Sequence, residues 1–231
     1  MRSTQLKHRY KDFYLKREPA KFPNEALIRI LLGSYPDLRL EREFTYRGKS
    51  FCDVGFGDGR NFHLFNFLGA DLYGTEVHPD IVEHVKKHLS QRGITAELRD
   101  GFNHALPFPD NSMDFLISWN SCYYIGQASS FEEILGEYAR LLKPGGVFIF
   151  SVPQKSNFIF EHAHEIAPGY VSIKQDPYDG IRDGETMRRF VCEAELRDCL
   201  SGSFHVHALT DSYANYFGEI HSHFIGVAIN P

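Results

Sequence analysis

The stretch Phe51-Cys52-Asp53-Val54-Gly55-Phe56-Gly57-Asp58-Gly59-Arg60-Asn61 decides how this chain is read. Its apolar start predicts a strand, the spaced glycines after the acidic residue predict a loop, and a helix should follow. Glycine lacks a Cβ, so such a loop can take left-handed dihedrals and let a ligand lie against bare backbone. Dinucleotide-binding domains begin similarly, with the spacing G-x-G-x-x-G, whose third glycine lets the helix pack closely on the strand. Here the spacing is Gly55-x-Gly57-x-Gly59, and Arg60 stands at that third position. The departure counts against a pyrophosphate ligand, while a plain turn with no ligand would leave the glycines and Asp53 unexplained.

Working outward, Phe62, Leu64, Phe65, Phe67 and Leu68 form an apolar helical face that Gly69 ends. Leu72 to Val77 predicts a second strand, and Pro79 opens a helix whose Ile81, Val82, Val85 and Leu89 share a face. Strands follow at Thr95 to Arg99, Asp114 to Trp119 and Val147 to Val152. Between the last two, Ser130 and Glu133 have capping-box spacing ahead of a stripe from Phe131 to Leu142. Alternating strands and helices imply right-handed crossovers and a doubly wound, mostly parallel α/β sheet that binds ligands beyond the carboxyl ends of its strands.

Residues 153–191 break that rhythm with Pro168-Gly169, Asp176-Pro177, Asp179-Gly180 and Asp183-Gly184, and read as an inserted cap. A helix over Glu193 to Leu200 and strands at Phe204 to Leu209 and His223 to Ile229 would close a seven-stranded sheet. Tyr10, Phe13, Tyr14 and Ala26 to Leu32 predict helices packed on the edge or mouth of that sheet. The chain is thus expected to be a single domain: helices in 1–47, a cofactor-binding half in 48–152, the cap in 153–191 and closing elements in 192–231.

A chain of 231 residues suits one α/β core with an added subdomain. A net charge of −5 and no sustained basic run argue against nucleic acid as a partner, since clustered Lys and Arg carry that affinity. No segment has the length of apolar sequence that spans a bilayer, and the amino terminus lacks the apolar segment of a secretory signal. Cys52, Cys122, Cys192 and Cys199 form no C-x-x-C pair and fit free thiols in the cytoplasm.

Asp53-Val54-Gly55-Phe56-Gly57-Asp58-Gly59, Glu76 ending the second strand, Asp100 followed by Leu106-Pro107-Phe108-Pro109-Asp110, and Leu142-Lys143-Pro144-Gly145-Gly146 occur in that order. Together they resemble the class I S-adenosylmethionine-dependent methyltransferases, in particular the small type 11-like group acting on metabolites, lipids or sugars. The resemblance covers roughly residues 48 to 153 and implies S-adenosylmethionine as cofactor. It places Gly55, Gly57 and Gly59 against the methionine and ribose, with Asp53 holding the loop or meeting the amino group. Glu76 would accept hydrogen bonds from both ribose hydroxyls, because a carboxylate offers two acceptor oxygens to a diol. Asp100 and the backbone of Phe102 would meet the adenine.

In this family the acceptor lies after the fourth strand, at Trp119-Asn120-Ser121-Cys122-Tyr123-Tyr124. Asn120 stands there without the prolines of the D/N-P-P-Y/F/W tetrapeptide, which argues against amino groups in DNA. Asn120, His162 and His164 are the candidate catalytic residues, with His104 a third histidine to consider. Tyr123, Tyr124, Arg182 and Arg188 are candidates for binding a small-molecule or glycan-precursor substrate, the arginines holding a carboxylate or phosphate. The pairs His162-x-His164, His205-x-His207 and His221-x-His223 invite a metal reading, but no Cys or carboxylate partner has ligand spacing, so no metal is expected. Two other readings remain: a nicotinamide-dependent oxidoreductase, disfavoured by Arg60, and a non-catalytic S-adenosylmethionine-binding module.

Overall fold

The computed structural model describes residues 2–33, 46–126, 128 and 130–231, and side chains from His8 onward. Part of the expected helical segment 1–47 therefore lies outside the described residues. The chain runs α1 (Arg2–Leu15), α2 (Glu25–Leu32), β1 (Ser50–Val54), α3 (Phe62–Phe67), β2 (Asp71–Glu76), α4 (Pro79–Ser90), β3 (Glu97–Asp100), β4 (Met113–Trp119), α5 (Phe131–Leu141) and β5 (Leu142–Pro153). After a 3-10 turn at Phe158–Phe160 come β6 (His164–Ala167), β7 (Tyr170–Ser172), β8 (Thr186–Arg188), α6 (Glu193–Ser201), β9 (His205–Tyr216) and β10 (Glu219–Ile229).

Seven strands form one sheet in the order β3-β2-β1-β4-β5-β10-β9. Strands β1 to β5 pair in parallel, and β10 is antiparallel to both of its neighbours. The strand order reverses between β1 and β4, where a doubly wound sheet opens a crevice at its carboxyl edge. Strands β1 and β4 are apolar on both faces because helices cover both sides. On one side Phe51 stacks on Phe115 with ring centroids 4.3 Å apart, above Ile81, Val85 and the buried Leu27. On the other, Phe148 and Phe150 meet the apolar stripe of α5 and the buried Leu196 and Leu200 of α6.

Local chemistry fixes the helix ends. The Ser130 hydroxyl accepts a hydrogen bond from the Glu133 amide, a cap worth about 1 kcal/mol. Behind it Ile134, Leu135, Tyr138 and Leu141 are wholly buried, so truncating Leu135 to Ala should cost roughly 2–5 kcal/mol.

The cap segment is more regular than its turn-rich sequence suggests. Strands β6, β7 and β8 form a second, three-stranded antiparallel sheet, each strand being only three or four residues long. The closing hairpin is also longer than expected, since β9 runs on to Tyr216. Its extension pairs Ser212 to Tyr216 with β10 through backbone, while the alternating polar side chains leave little apolar signal.

Candidate active site

A cavity of about 400 Å³ opens at the carboxyl ends of β1, β2 and β4. Its floor is the glycine loop. Gly55, Gly57 and Gly59 all have positive φ (68°, 57° and 76°), so the chain turns sharply out of β1. A Cβ on Gly55 would lie 2.6 Å from the Ser121 Cβ, and one on Gly57 would lie 2.7 Å from the Tyr14 hydroxyl. Only bare backbone fits at either position. Gly55 lines the cavity directly, while Gly59 packs against Val85 of α4.

Asp53 ends up behind the loop. Its carboxylate is fully buried and accepts a hydrogen bond from the Asn61 side-chain amide at 3.1 Å. Burial pushes its pKa up to about 7, against the lowering effect of the Asn61 bond. Asn61 in turn accepts from the Asn24 backbone amide, and Asp58 accepts from that of Ala20, which straps the amino-terminal segment to the loop. Of the two roles foreseen for Asp53, this geometry supports holding the loop.

Glu76, at the end of β2, faces the cavity and is buried. One carboxylate oxygen accepts the Gly57 amide at 2.9 Å and the other the Val77 amide at 2.8 Å. Burial raises its pKa, and those two backbone donors pull it back. Gly101 and Phe102 line the cavity beyond β3. Asp100 is exposed at the strand end and its side chain is not part of the lining, so that expectation needs correction: the wall next to β3 is made by the two residues after it.

Asn120 lines the cavity after β4, with a left-handed φ of 57°. Its amide donates to the Ser151 hydroxyl, and its side-chain oxygen accepts from the same hydroxyl, so β5 holds it in place. Tyr124 also lines the cavity, whereas Tyr123 is buried behind it with ring centroids 4.8 Å apart. Asn103 was not foreseen. Its side-chain amide donates to the Ser121 and Tyr124 carbonyls and its oxygen accepts from the Tyr138 hydroxyl, joining the loops after β3 and β4.

The roof comes from two parts of the chain far apart in sequence. Tyr10 and Tyr14 of α1 reach in from one side, and Gly184, Glu185 and Thr186 from the cap. Strand β8 is held over the cavity by bonds from the Ile125 amide to the Thr186 carbonyl and from the Arg188 amide to the Tyr123 carbonyl. Glu185 follows the Asp183-Gly184 turn, a place where sequence offers no sign that one carboxylate differs from another. Burial pushes its pKa up to about 7, opposed by Arg9.

Other expectations fail on geometry. His162 and His164 are exposed on the outer side of the cap and do not line the cavity, because β6 is the strand of the small sheet farthest in order from β8. Arg188 is buried but committed: it donates to the Gly169 and Arg189 carbonyls and to Glu195, and lies 4.5 Å from the Phe190 ring centre. Arg182 pairs with Asp176 at 3.2 Å and lies 4.9 Å from the Tyr178 ring centre, also outside the lining. Among the described residues, no three His, Cys, Asp or Glu side chains gather as a metal site, and no helix is long and apolar enough to cross a membrane.

Residues 52–150 match the family model described as a methyltransferase domain. A probable S-adenosylmethionine-dependent methyltransferase of Mycolicibacterium smegmatis is 26% identical over 111 residues, covering 48% of this chain and 40% of the relative. A sterol 24-C-methyltransferase of Gibberella zeae is 27% identical over 178 residues, covering 75% of this chain and 40% of the relative. The chain therefore spans about 40% of the length of these curated relatives. Among solved structures, the 1,6-didemethyltoxoflavin-N1-methyltransferase of Burkholderia thailandensis, with 1,6-didemethyltoxoflavin and S-adenosylhomocysteine bound, superposes with a TM-score of 0.65. It is 17% identical, and the match covers 99% of this chain and 86% of that one.

Proposed function

Because the chain belongs to the class I S-adenosylmethionine-dependent methyltransferase family, we propose that it transfers a methyl group to an oxygen or nitrogen of a small molecule or a glycan or lipid precursor. The observation that carries this reading is a single cavity, at the carboxyl ends of the strands, into which both the bare backbone at Gly55 and the Glu76 carboxylate open. S-adenosylmethionine fits that floor. Gly55 leaves room for its methionine and ribose while Gly57 and Gly59 turn the loop that carries it, Glu76 has acceptor capacity for the ribose diol, and Phe102 offers an aromatic wall to the adenine. Division into a cofactor half (48–152) and a cap (153–191) follows the same plan, and the free cysteines are in keeping with a cytoplasmic protein.

The sulfonium supplies an activated methyl group that leaves without metal assistance. The protein's own task is to align the acceptor with that methyl and exclude water. Asn120, fixed by Ser151 and lining the cavity with Ser121 and Tyr124, supports a meeting point of donor and acceptor there. The roof of α1 and β8 closes that meeting point.

The test is calorimetric titration of the purified chain with S-adenosylmethionine and S-adenosylhomocysteine, followed by mass spectrometry of candidate acceptors. Micromolar binding and a gain of one methyl on oxygen or nitrogen are expected. If neither nucleoside binds, the reading fails; if the methyl is found on carbon, as the sterol methyltransferase relative would suggest, the acceptor atom is corrected.

A further inference from the structure

The cavity has an unusual charge balance. Among the described residues, its ionisable lining consists of Glu76, Glu185, His104 and the tyrosines Tyr10, Tyr14 and Tyr124, with no lysine or arginine. Glu76 already accepts two backbone amides. Glu185 lines the cavity half-buried and has no hydrogen bond or ion pair to its carboxylate among the described residues. Arg9 is the cation whose field reaches it, and that guanidinium donates through Nη1 to the Gly180 and Asp183 carbonyls.

Around this carboxylate stand aromatic groups. The Tyr10 and Tyr124 rings meet edge to face at 6.1 Å, and the buried Tyr10 hydroxyl, close to that of Tyr124, has no partner at hydrogen-bond geometry among the described residues. Tyrosine rings attract a cation in a desolvated site, and an unpaired, partly buried carboxylate gains from a positive ligand that neutralises it. An anionic acceptor would meet Glu185 with no cation on the described lining to offset the repulsion.

We infer that the methyl acceptor is an amine, bound as its ammonium ion between Glu185 and the tyrosines of the roof, and that Glu185 takes the proton that frees the nitrogen lone pair. This deepens the methyltransferase reading and rests on it. The N–H bond breaks with its electrons left on nitrogen, and the proton goes to the Glu185 carboxylate. The nitrogen then forms a bond to the methyl carbon of S-adenosylmethionine as the carbon–sulfur bond breaks, its electron pair staying on the neutral thioether. A carboxylate whose pKa is lifted to about 7 faces an alkyl ammonium at about 10, so the transfer is uphill by a factor of about 10³, and desolvation of the ammonium narrows that gap. Burial and the Arg9 guanidinium set this titration, and Tyr10 of α1 and Tyr124 after β4 are the titratable groups that feel the Glu185 charge.

The experiment uses the full chain saturated with S-adenosylhomocysteine, titrated with benzylamine, benzyl alcohol and benzoate as probes of one skeleton. Calorimetry should show benzylamine binding at least tenfold tighter than the other two, with affinity falling as pH drops below 7. Glu185→Gln should weaken benzylamine at least tenfold, Glu185→Asp should recover part of that loss, and both should bind S-adenosylhomocysteine within twofold of the parent. Thermal melts confirm that the variants are folded. Equal or tighter binding of the alcohol or benzoate, no binding of benzylamine, or an unchanged benzylamine affinity in Glu185→Gln overturns the inference. Failure of the parent to bind S-adenosylhomocysteine would instead strike the underlying methyltransferase reading.

Discussion

The glycine loop between β1 and α3 shapes its side of the cavity with backbone, held by partners close in sequence: Gly57 to Glu76, Asp53 to Asn61. The roof opposite uses side chains from positions far apart, and the bond from Arg9 to the Gly180 carbonyl bridges 171 residues. A backbone-built floor tolerates almost no substitution and carries a recognisable spacing. A side-chain roof can change its ligand with one residue while the fold stays intact. Donor and acceptor recognition are thereby separable, and variants on the two sides should fail in different ways.

The largest effect is expected on the floor. Gly57→Val places a Cβ where the Tyr14 hydroxyl stands and forces a branched residue into left-handed backbone. Calorimetry should find S-adenosylhomocysteine affinity reduced by more than about 100-fold, or undetectable. A folded variant with near-parent affinity would refute the idea that the loop is the donor site. Glu76→Ala comes next, at about 10- to 100-fold, because it removes the proposed ribose acceptors and releases the Gly57 amide together. Equal losses for the nucleoside and for its 2′,3′-dideoxy analogue would show that only the loop was affected.

The same division explains what could be read in the sequence. Strands β1 to β5 and their helices were legible because apolar runs, Gly69, Pro79 and the Ser130 cap are local signals. The cavity-lining positions of Gly55 and Glu76 were legible because a loop built on backbone depends on spacing. Asn103 and Glu185 were not, since each acts through contacts with loops distant in sequence, and neither Asn nor Glu in a turn-rich segment announces a partner. Arg188 misled for the opposite reason: an arginine in a cap suggests an anion, yet here Gly169, Arg189 and Glu195 already surround it. The three short cap strands were hidden by the turns that join them.

Between floor and roof lies Asn103, and its loss should be felt by both. Asn103→Ala removes two donors to loop carbonyls and leaves the buried Tyr138 hydroxyl without its acceptor. A cost of about 1–3 kcal/mol in denaturant unfolding is expected, with a shift of less than about 0.5 kcal/mol showing that the two loops are independently stable. Asp53 should affect stability through pH. Its folded pKa of about 7 lies above the unfolded value of 3.8, so the folded state holds the proton more tightly. Stability from this group is therefore full below pH 4 and lost as pH rises toward 7. Asp53→Asn, which can still accept from Asn61, should flatten that slope by up to about 4 kcal/mol across the window; an unchanged slope would assign it elsewhere, with Glu185, raised from 4.5 to about 7, the next group to substitute.

The smallest effect is expected where the histidine pair of the cap was first suspected. His162 and His164 are exposed and lie off the cavity lining, so neither can reach a proton on an acceptor seated beside Asn120. Solvent already surrounds both rings, and removing them exposes no buried polar partner. The double substitution His162→Ala and His164→Ala should leave S-adenosylhomocysteine affinity, benzylamine affinity and the pH profile within twofold of the parent, since surface changes usually move stability by less than about 0.5 kcal/mol. A tenfold fall in methyl transfer with binding intact would require the small sheet to swing β6 toward the cavity during turnover. The roof would then be a moving part rather than the fixed counterpart of the glycine floor.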